Sequence, residues 1–244
     1  MRILLSNDDG VHAPGLHALA AALRKLGRVF ICAPESVRSG ASSGLTIHKP
    51  LQAPRIARDC WAVSGNPADA VKLALRELLP ARPDIVVSGI NNGLNTGSNI
   101  VYSGTVAAAL EGALYGITSF AVSREFTDDE DYREEARLAA RLVKRLFALR
   151  PRAANVFNIN IPRGRPRGVV AAAAELAPYR DRYDRRRDPR GRAYYWLRGE
   201  PPRKLLLDGR PSDEWAVCRG WVSVTPLRRD LTDLPLLEDL ERCL

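Results

Sequence analysis

The 244-residue sequence has no unbroken apolar run of about eighteen residues, so no segment reads as a membrane-spanning helix. Its first apolar stretch, Ile3 to Leu5, is too short for a signal peptide, and a cytoplasmic location is expected. Cysteine is scarce. Cys32, Cys60, Cys218 and Cys243 form neither a CxxC redox pair nor a zinc knuckle, and a chain of this size needs no disulfide framework. They are expected to be reduced, with Cys32 in a core strand. There are three histidines and no HExxH, which argues against a zinc hydrolase. The Walker GKS/GKT ending, the dinucleotide-binding GxGxxG and the GxSxG nucleophile elbow are all missing. Those absences disfavour nucleoside triphosphate use, hydride transfer and serine hydrolysis.

Apolar residues make up 45% of the chain, ample for a core, so global disorder is excluded. Lys and Arg number 37 against 28 Asp and Glu, a formal charge of +9 that attracts phosphates of any kind. The basic residues are densest from Arg180 to Arg192, where seven arginines and three aspartates stand.

The periodicity gives an α/β protein. Arg2 to Asn7 reads as a first strand that breaks into Asp8-Asp9-Gly10. Leu16, Leu19, Leu23 and Leu26 recur at helical spacing, and Val29 to Ala33 is a second strand. Strand, helix and strand in so short a span imply a parallel sheet with right-handed crossovers. Trp61 to Ser64 and Asp84 to Ser88 read as further strands, the latter apolar without alternation. Asn66-Pro67-Ala68-Asp69 reads as a helix start. Residues 89–103 are expected to form a polar loop, Gly104 to Tyr115 a helix, Ile117 to Ser123 a strand, and Asp128 to about Leu149 a long helix. Val156 to Ile161, Val169 to Ala174, Ala193 to Leu197 and Trp221 to Leu227 read as strands, and Pro235 to Cys243 as a final helix. The expected organisation is an α/β core over 1–175, an extension with hairpin-like strands over 176–230 that packs between subunits, and a C-terminal helix over 231–244 on the core or a partner.

Open parallel sheets bind ligands beyond the carboxyl ends of their strands. Asp8 and Asp9 stand at such an end, and two adjacent carboxylates repel; a hard divalent cation offsets that repulsion. An Asx-type turn is the simpler alternative for either one. Ser39 and Gly40 follow the second strand, and Asn91, Asn92 and Asn95 follow Ser88. Their oxygens suit magnesium or manganese as neutral ligands, although each also suits an ordinary turn. Ser103-Gly104-Thr105 opens an alanine-rich helix whose free N–H groups and hydroxyls make an anion site, or a plain N-cap. Hydrolysis of a phosphate ester is the chemistry these features share. Glu35 and Glu111 are weighed as catalytic acids, with a solvated or structural role as the default; no nucleophile elbow surrounds Ser42 and Ser43, and the histidines form no close pair.

The chain resembles the SurE survival protein family. The resemblance lies in LLSNDDGVHAPG at 4–15, RSGAS at 38–42, VVSGINNGLNTG at 86–97 and VYSGTVAAALEG at 101–112. It continues in DPRG at 188–191, YYW at 194–196 and VSVTPL at 222–227. It implies a three-layer, Rossmann-like fold with a mostly parallel sheet and a C-terminal β-hairpin extension used in oligomerisation. It implies a metal-dependent nucleotidase acting on nucleoside 5′-monophosphates, with 3′-monophosphates and short polyphosphate as further substrates. One divalent ion per subunit, Mg2+ or Mn2+, would be held by Asp8, Asp9, Ser39 and Asn91. Asp8 and Asp9 would serve catalysis. Ser39, Gly40, Asn95, Ser103, Gly104 and Thr105 would contact the phosphate. A homodimer or homotetramer with an exchanged C-terminal segment is implied. The competing reading is a nucleic-acid-binding module that uses the basic, aromatic segment 180–196, with Tyr183, Tyr194, Tyr195 and Trp196 among its arginines.

Overall fold

A computed structural model describes residues 1–149, 156–175, 180–200, 206–207 and 209–244. In chain order the first half comprises β1 (Arg2–Ser6), α1 (Pro14–Leu23), β2 (Arg28–Pro34), β3 (Arg55–Ala57), β4 (Cys60–Val63), α2 (Pro67–Leu73), β5 (Ile85–Asn92), α3 (Asn99–Tyr102) and α4 (Gly104–Leu114). The second half comprises β6 (Thr118–Arg124), α5 (Arg133–Phe147), β7 (Val156–Ile161), β8 (Val169–Ala171), β9 (Arg180–Arg187), β10 (Ala193–Glu200), β11 (Leu206–Leu207), β12 (Arg210–Pro211), α6 (Asp213–Cys218), β13 (Val222–Leu227) and α7 (Leu234–Cys243).

Nine strands form one sheet in the order β3-β4-β2-β1-β5-β6-β7-β13-β8. The run from β4 to β7 is parallel, and β3 and β13 join it antiparallel to β4 and β7. Alternate residues of β1 explain the layering. Ile3 and Leu5 face α1 and α5, packing with Leu16, Leu19 and Val143, whereas Leu4 faces the layer of α2 and α4, with Val71 and Ala108. This is the three-layer, mostly parallel α/β architecture expected, and β9 and β10 form the expected hairpin. Asp188 closes the hairpin turn, accepting N–H groups of Arg190 and Arg192 at 2.9 Å each.

Several boundaries differ from the sequence reading. The strand expected to stop at Ser88 runs on to Asn92, and Ile90 is fully buried. Gly89 makes this possible. It adopts φ +133°, and a Cβ there would collide with the Val122 carbonyl, so only glycine lets β5 bulge past β6 and continue. The expected loop 89–103 therefore contains the end of β5 and the short helix α3. Helix α5 starts at Arg133 rather than near Asp128. The Asp129 and Asp131 carboxylates accept N–H groups two residues on, which fixes turns instead of helix. Strand β3, which has no buried residue, gave no signal. The extension expected over 176–230 is too long, because β13 lies inside the main sheet with Val222 and Val224 in the core. Helix α7 buries none of its residues against the core.

The chain returns to the core through a buried acidic cluster. Glu175, Asp213 and Glu214 are 1%, 0% and 8% exposed. Asp213 accepts the N–H groups of Gly97 and Glu214 at 2.9 Å and of Glu175 at 3.2 Å, and the Thr96 hydroxyl donates to Glu214. Burial raises the pKa of Glu214, and the charges of Asp213 and Glu175 raise it further. A carboxyl group raised by folding favours the folded state while protonated. That contribution is complete below its ordinary value of 4.5 and is lost as pH rises through the higher folded value. Glu214→Gln keeps an acceptor for Thr96 and removes the charge. We expect its melting temperature to exceed that of the unmodified chain by about 2–4 °C at pH 8 and to match it near pH 4. Thermal scans across that range check this, and parallel curves would refute it.

Candidate functional site

The first turn of the chain is built around its two carboxylates. Asn7 donates its side-chain amide to the Gly10 carbonyl at 3.0 Å, closing the backbone around Asp8 and Asp9. Val11 N–H bonds the Pro34 carbonyl at the end of β2 at 2.8 Å, and His17 Nε2 bonds the Val11 carbonyl at 2.9 Å. Arg38 N–H reaches the Asp8 carbonyl at 2.7 Å, tying the loop after β2 to the same turn. That bond sets Ser39, the next residue, beside the acid pair. Ser39 and Gly40 are exposed, and nothing stands within 4 Å of where a Gly40 Cβ would be.

Asp8 points at the start of α4. The Thr105 hydroxyl and its backbone N–H both donate to the Asp8 carboxylate. A Cβ on Gly104 would lie 2.9 Å from the Asp8 Cβ, so glycine is what lets the helix approach this closely. Ser103 caps the helix by accepting the Val106 N–H at 3.1 Å. Asp8 itself is thus the anion at this helix terminus, where a substrate anion was the expectation.

Asp9 accepts the backbone N–H of Asn92 at the end of β5. The neighbouring Asn91 donates its side-chain N–H to the Gly93 carbonyl at 2.7 Å, leaving the amide oxygen to accept a hydrogen bond or ligate an ion. Asn95 lies further along the same loop and is 7% exposed. Its N–H bonds Asn160 Oδ1 at 2.8 Å, its side-chain nitrogen bonds Ser123 Oγ at 2.8 Å, and its carbonyl accepts from Asn158 at 2.7 Å. Asn95 is therefore anchored over β6 and β7, whereas Asp8, Asp9, Ser39, Asn91, Gly104 and Thr105 gather around the carboxyl ends of β1, β2 and β5.

The electrostatics follow from this packing. Burial raises the pKa of Asp8, with the Thr105 bonds opposing. Burial and the Asp8 charge push Asp9 up to about 6. Among the described residues neither carboxylate forms a salt bridge, and no third carboxylate, histidine or cysteine completes a metal-binding group with them. Two crowded carboxylates without a cationic neighbour fit a divalent cation, and any further protein ligands must be neutral oxygens of the kind Ser39 and Asn91 offer.

Three supporting residues escaped the sequence reading. Arg124, 2% exposed, stacks 3.4 Å above the Tyr132 ring and donates to Asn92 Oδ1 at 3.2 Å and to the Asp131 carbonyl at 2.7 Å. It fixes the end of β5 and the loop after β6. Asn158 and Asn160 hold Asn95, and they carried a readable signal as amides two residues apart in an otherwise apolar strand.

The chain is similar to known proteins over its whole length. A family model described as survival protein SurE matches residues 3–181. A protein of Pelotomaculum thermopropionicum named 5′-nucleotidase SurE is 44% identical, the match covering 100% of this chain and 95% of that one. Its namesake in Rhodopirellula baltica is 45% identical over 99% and 98% of the two chains. The crystal structure of the Sure protein from Aquifex aeolicus superposes with a TM-score of 0.87 at 37% identity, covering 100% of this chain and 99% of that one. With the motif loops, the sheet order and these full-length likenesses in agreement, the chain belongs to the SurE survival protein family.

Proposed function

We propose that this protein is a divalent-metal-dependent 5′-nucleotidase, hydrolysing the phosphate monoester of nucleoside 5′-monophosphates. The observation that carries the reading is the Asp8–Asp9 pair, without a salt-bridge partner among the described residues, at the carboxyl edge of a parallel sheet and against a helix start. Full-length relatives named 5′-nucleotidase support the substrate class. Asp8, Asp9, Ser39 and Asn91 would hold one Mg2+ or Mn2+. When bound, such an ion polarises a phosphoryl oxygen and acidifies a water.

The chain's own residues divide the work. Thr105 fixes Asp8, so Asp8 is the rigid member of the pair. Asp9 is less buried and accepts no side-chain hydroxyl, so it orients the attacking water and takes up its proton. The water oxygen bonds to phosphorus as the P–O bond to the ester oxygen breaks; the leaving nucleoside oxygen takes a proton from solvent, and Asp9 returns the one it took. Of the N–H groups in the first turn of α4, that of Thr105 goes to Asp8 and that of Val106 to Ser103. The Gly104 N–H remains for the phosphate, with Gly40 opening the opposite side and Asn95 bounding the loop. That N–H stabilises charge that grows in the transition state.

A homo-oligomer with an exchanged C-terminal segment belongs to this reading. The hairpin leaves Tyr183, Tyr195, Trp196 and Leu197 at least 57% exposed, and α7 exposes Leu234, Leu236, Leu237 and Leu240. Apolar surface of this extent on two C-terminal elements calls for a second copy to cover it.

Phosphate release from AMP is expected with Mg2+ or Mn2+ and absent with chelator; a panel of 5′- and 3′-monophosphates and short polyphosphate fixes the range. Release that ignores chelator would overturn the metal assignment. Asp9→Asn is expected to lower kcat about 10³-fold with the fold intact by circular dichroism. Thr105→Val keeps the side-chain shape and removes the hydroxyl that orients Asp8. It should cost about 10–100-fold in metal affinity or rate, read as a shift of the metal activation curve, and Thr105→Ser should restore most of it.

A further inference from the structure

Beside the acid pair, over the carboxyl ends of β2 and β4, lies a hollow of about 410 Å³ whose walls include Arg38, Thr46, His48, Lys49, Ser64 and Asn66. Two of these walls are continuous with the site described above. Arg38 holds the Asp8 carbonyl through its backbone and precedes Ser39. Asn66 precedes Pro67, whose ring would lie 3.1 Å from a Cβ on Gly104. A phosphate ester bound at the acid pair has this hollow next to it.

Beside an apolar edge of Leu45 and Ile47, the polar wall of the hollow has the chemistry of an anion site. Arg38 Nε is shut off from water and has no hydrogen-bond acceptor. Buried donors of this kind are nearly always satisfied, so an acceptor from outside the chain is called for. Among the described residues neither Arg38 nor Lys49 takes part in a salt bridge. The nearby Asp69 carboxylate is spent on backbone. It accepts the Thr46 N–H at 3.0 and 3.1 Å and the Asn66 N–H at 2.9 Å, which pins the wall without neutralising it. Asn66 adds a second pin through the Gly44 carbonyl at 3.2 Å. The walls contain no Phe, Tyr or Trp on which a base could stack.

We infer that this hollow binds a second phosphate group of the substrate, carried apart from the one that is hydrolysed. The Arg38 guanidinium and Lys49 ammonium, with the His48 ring and the Thr46 and Ser64 hydroxyls, are charge-assisted and neutral donors suited to phosphate oxygens. A nucleoside 3′,5′-bisphosphate carries such a group, and tripolyphosphate serves as the comparison probe. The inference rests on the proposed phosphomonoesterase reading, but its test does not need turnover.

Binding of adenosine 3′,5′-bisphosphate, AMP and tripolyphosphate is measured by calorimetry on the full-length protein in chelator. The kcat/KM ratio of bisphosphate to AMP, for release of the 5′-phosphate, is measured with metal. The unmodified protein is expected to favour the bisphosphate about tenfold in both assays. His48→Gln/Lys49→Gln should abolish that preference, and Lys144→Gln, an equal loss of charge on the exposed face of α5, should retain it. Tripolyphosphate binding that weakens in the double variant assigns the hollow to phosphate chains as well. Tripolyphosphate binding that ignores the variant, beside a sensitive bisphosphate, assigns it to bisphosphorylated nucleosides. Equal affinity for bisphosphate and AMP in the unmodified protein, or a preference that survives the double variant, overturns the inference. Should no nucleotide be hydrolysed, the nucleotidase reading fails while the calorimetry still decides this one.

Discussion

Two carboxylates crowded into one turn at the end of β1 are the constraint around which the site is organised. Left to themselves they repel, and burial worsens the repulsion by removing water. The protein offsets this only for Asp8, with a hydroxyl, a backbone N–H and the positive end of α4. A charge-assisted hydrogen bond contributes about 1.5–3 kcal/mol and a favourable helix terminus up to about 2 kcal/mol. Asp9 receives a single backbone N–H, and its pKa climbs to about 6. The imbalance is informative. A turn needing only an Asx cap requires one aspartate, whereas a second carboxylate held beside the first, with no salt-bridge partner among the described residues, concentrates negative charge and supports the proposed cation site.

Holding that pair in place requires elements far apart in sequence. The α4 start comes from residues 103–105, the Asn92 donor from the end of β5, and the Arg38 donor from the loop after β2. A parallel sheet brings all three to one edge because every strand from β4 to β7 points the same way. Behind them Arg124 couples Asn92 to the loop after β6, so displacement of any of these loops is transmitted to Asp9. The rigidity of the site comes from this chain of side-chain-to-backbone bonds across strand ends more than from any one element.

Much of this was legible in the sequence because it is local. Short, continuously apolar strands between helical repeats, a Pro at the start of α2 and the clustering of Ser, Asn and Gly after strands one, two and five all express short-range stereochemistry. The misreadings arose where a distant contact decides. Gly89 looks like a strand terminator until β6 is beside it, because only the Val122 carbonyl explains why a residue without a side chain keeps the strand going. Val222 to Leu227 looked like part of an extension because its partner β7 precedes it by more than sixty residues. Arg124 sits among charged residues and reads as surface, yet it is sealed beneath Tyr132. Thr105 was legible as part of an anion site, but which anion it serves depends on Gly104 letting Asp8 approach.

The last of these points bears on how the site works. A helix terminus already satisfied by Asp8 has fewer donors for a substrate than a free one, so substrate phosphate at α4 depends on Gly104 and on whatever else surrounds it. On the proposed reading a divalent cation held by Asp8 and Asp9 would resolve the conflict, because its charge would let a phosphate share one corner of the protein with two carboxylates. On that argument Asp8, Asp9 and the α4 terminus act as one unit. On the same reading the carboxylates would supply the charge that holds a divalent cation, and the α4 terminus would present its Gly104 N–H to the phosphate beside the water that Asp9 orients.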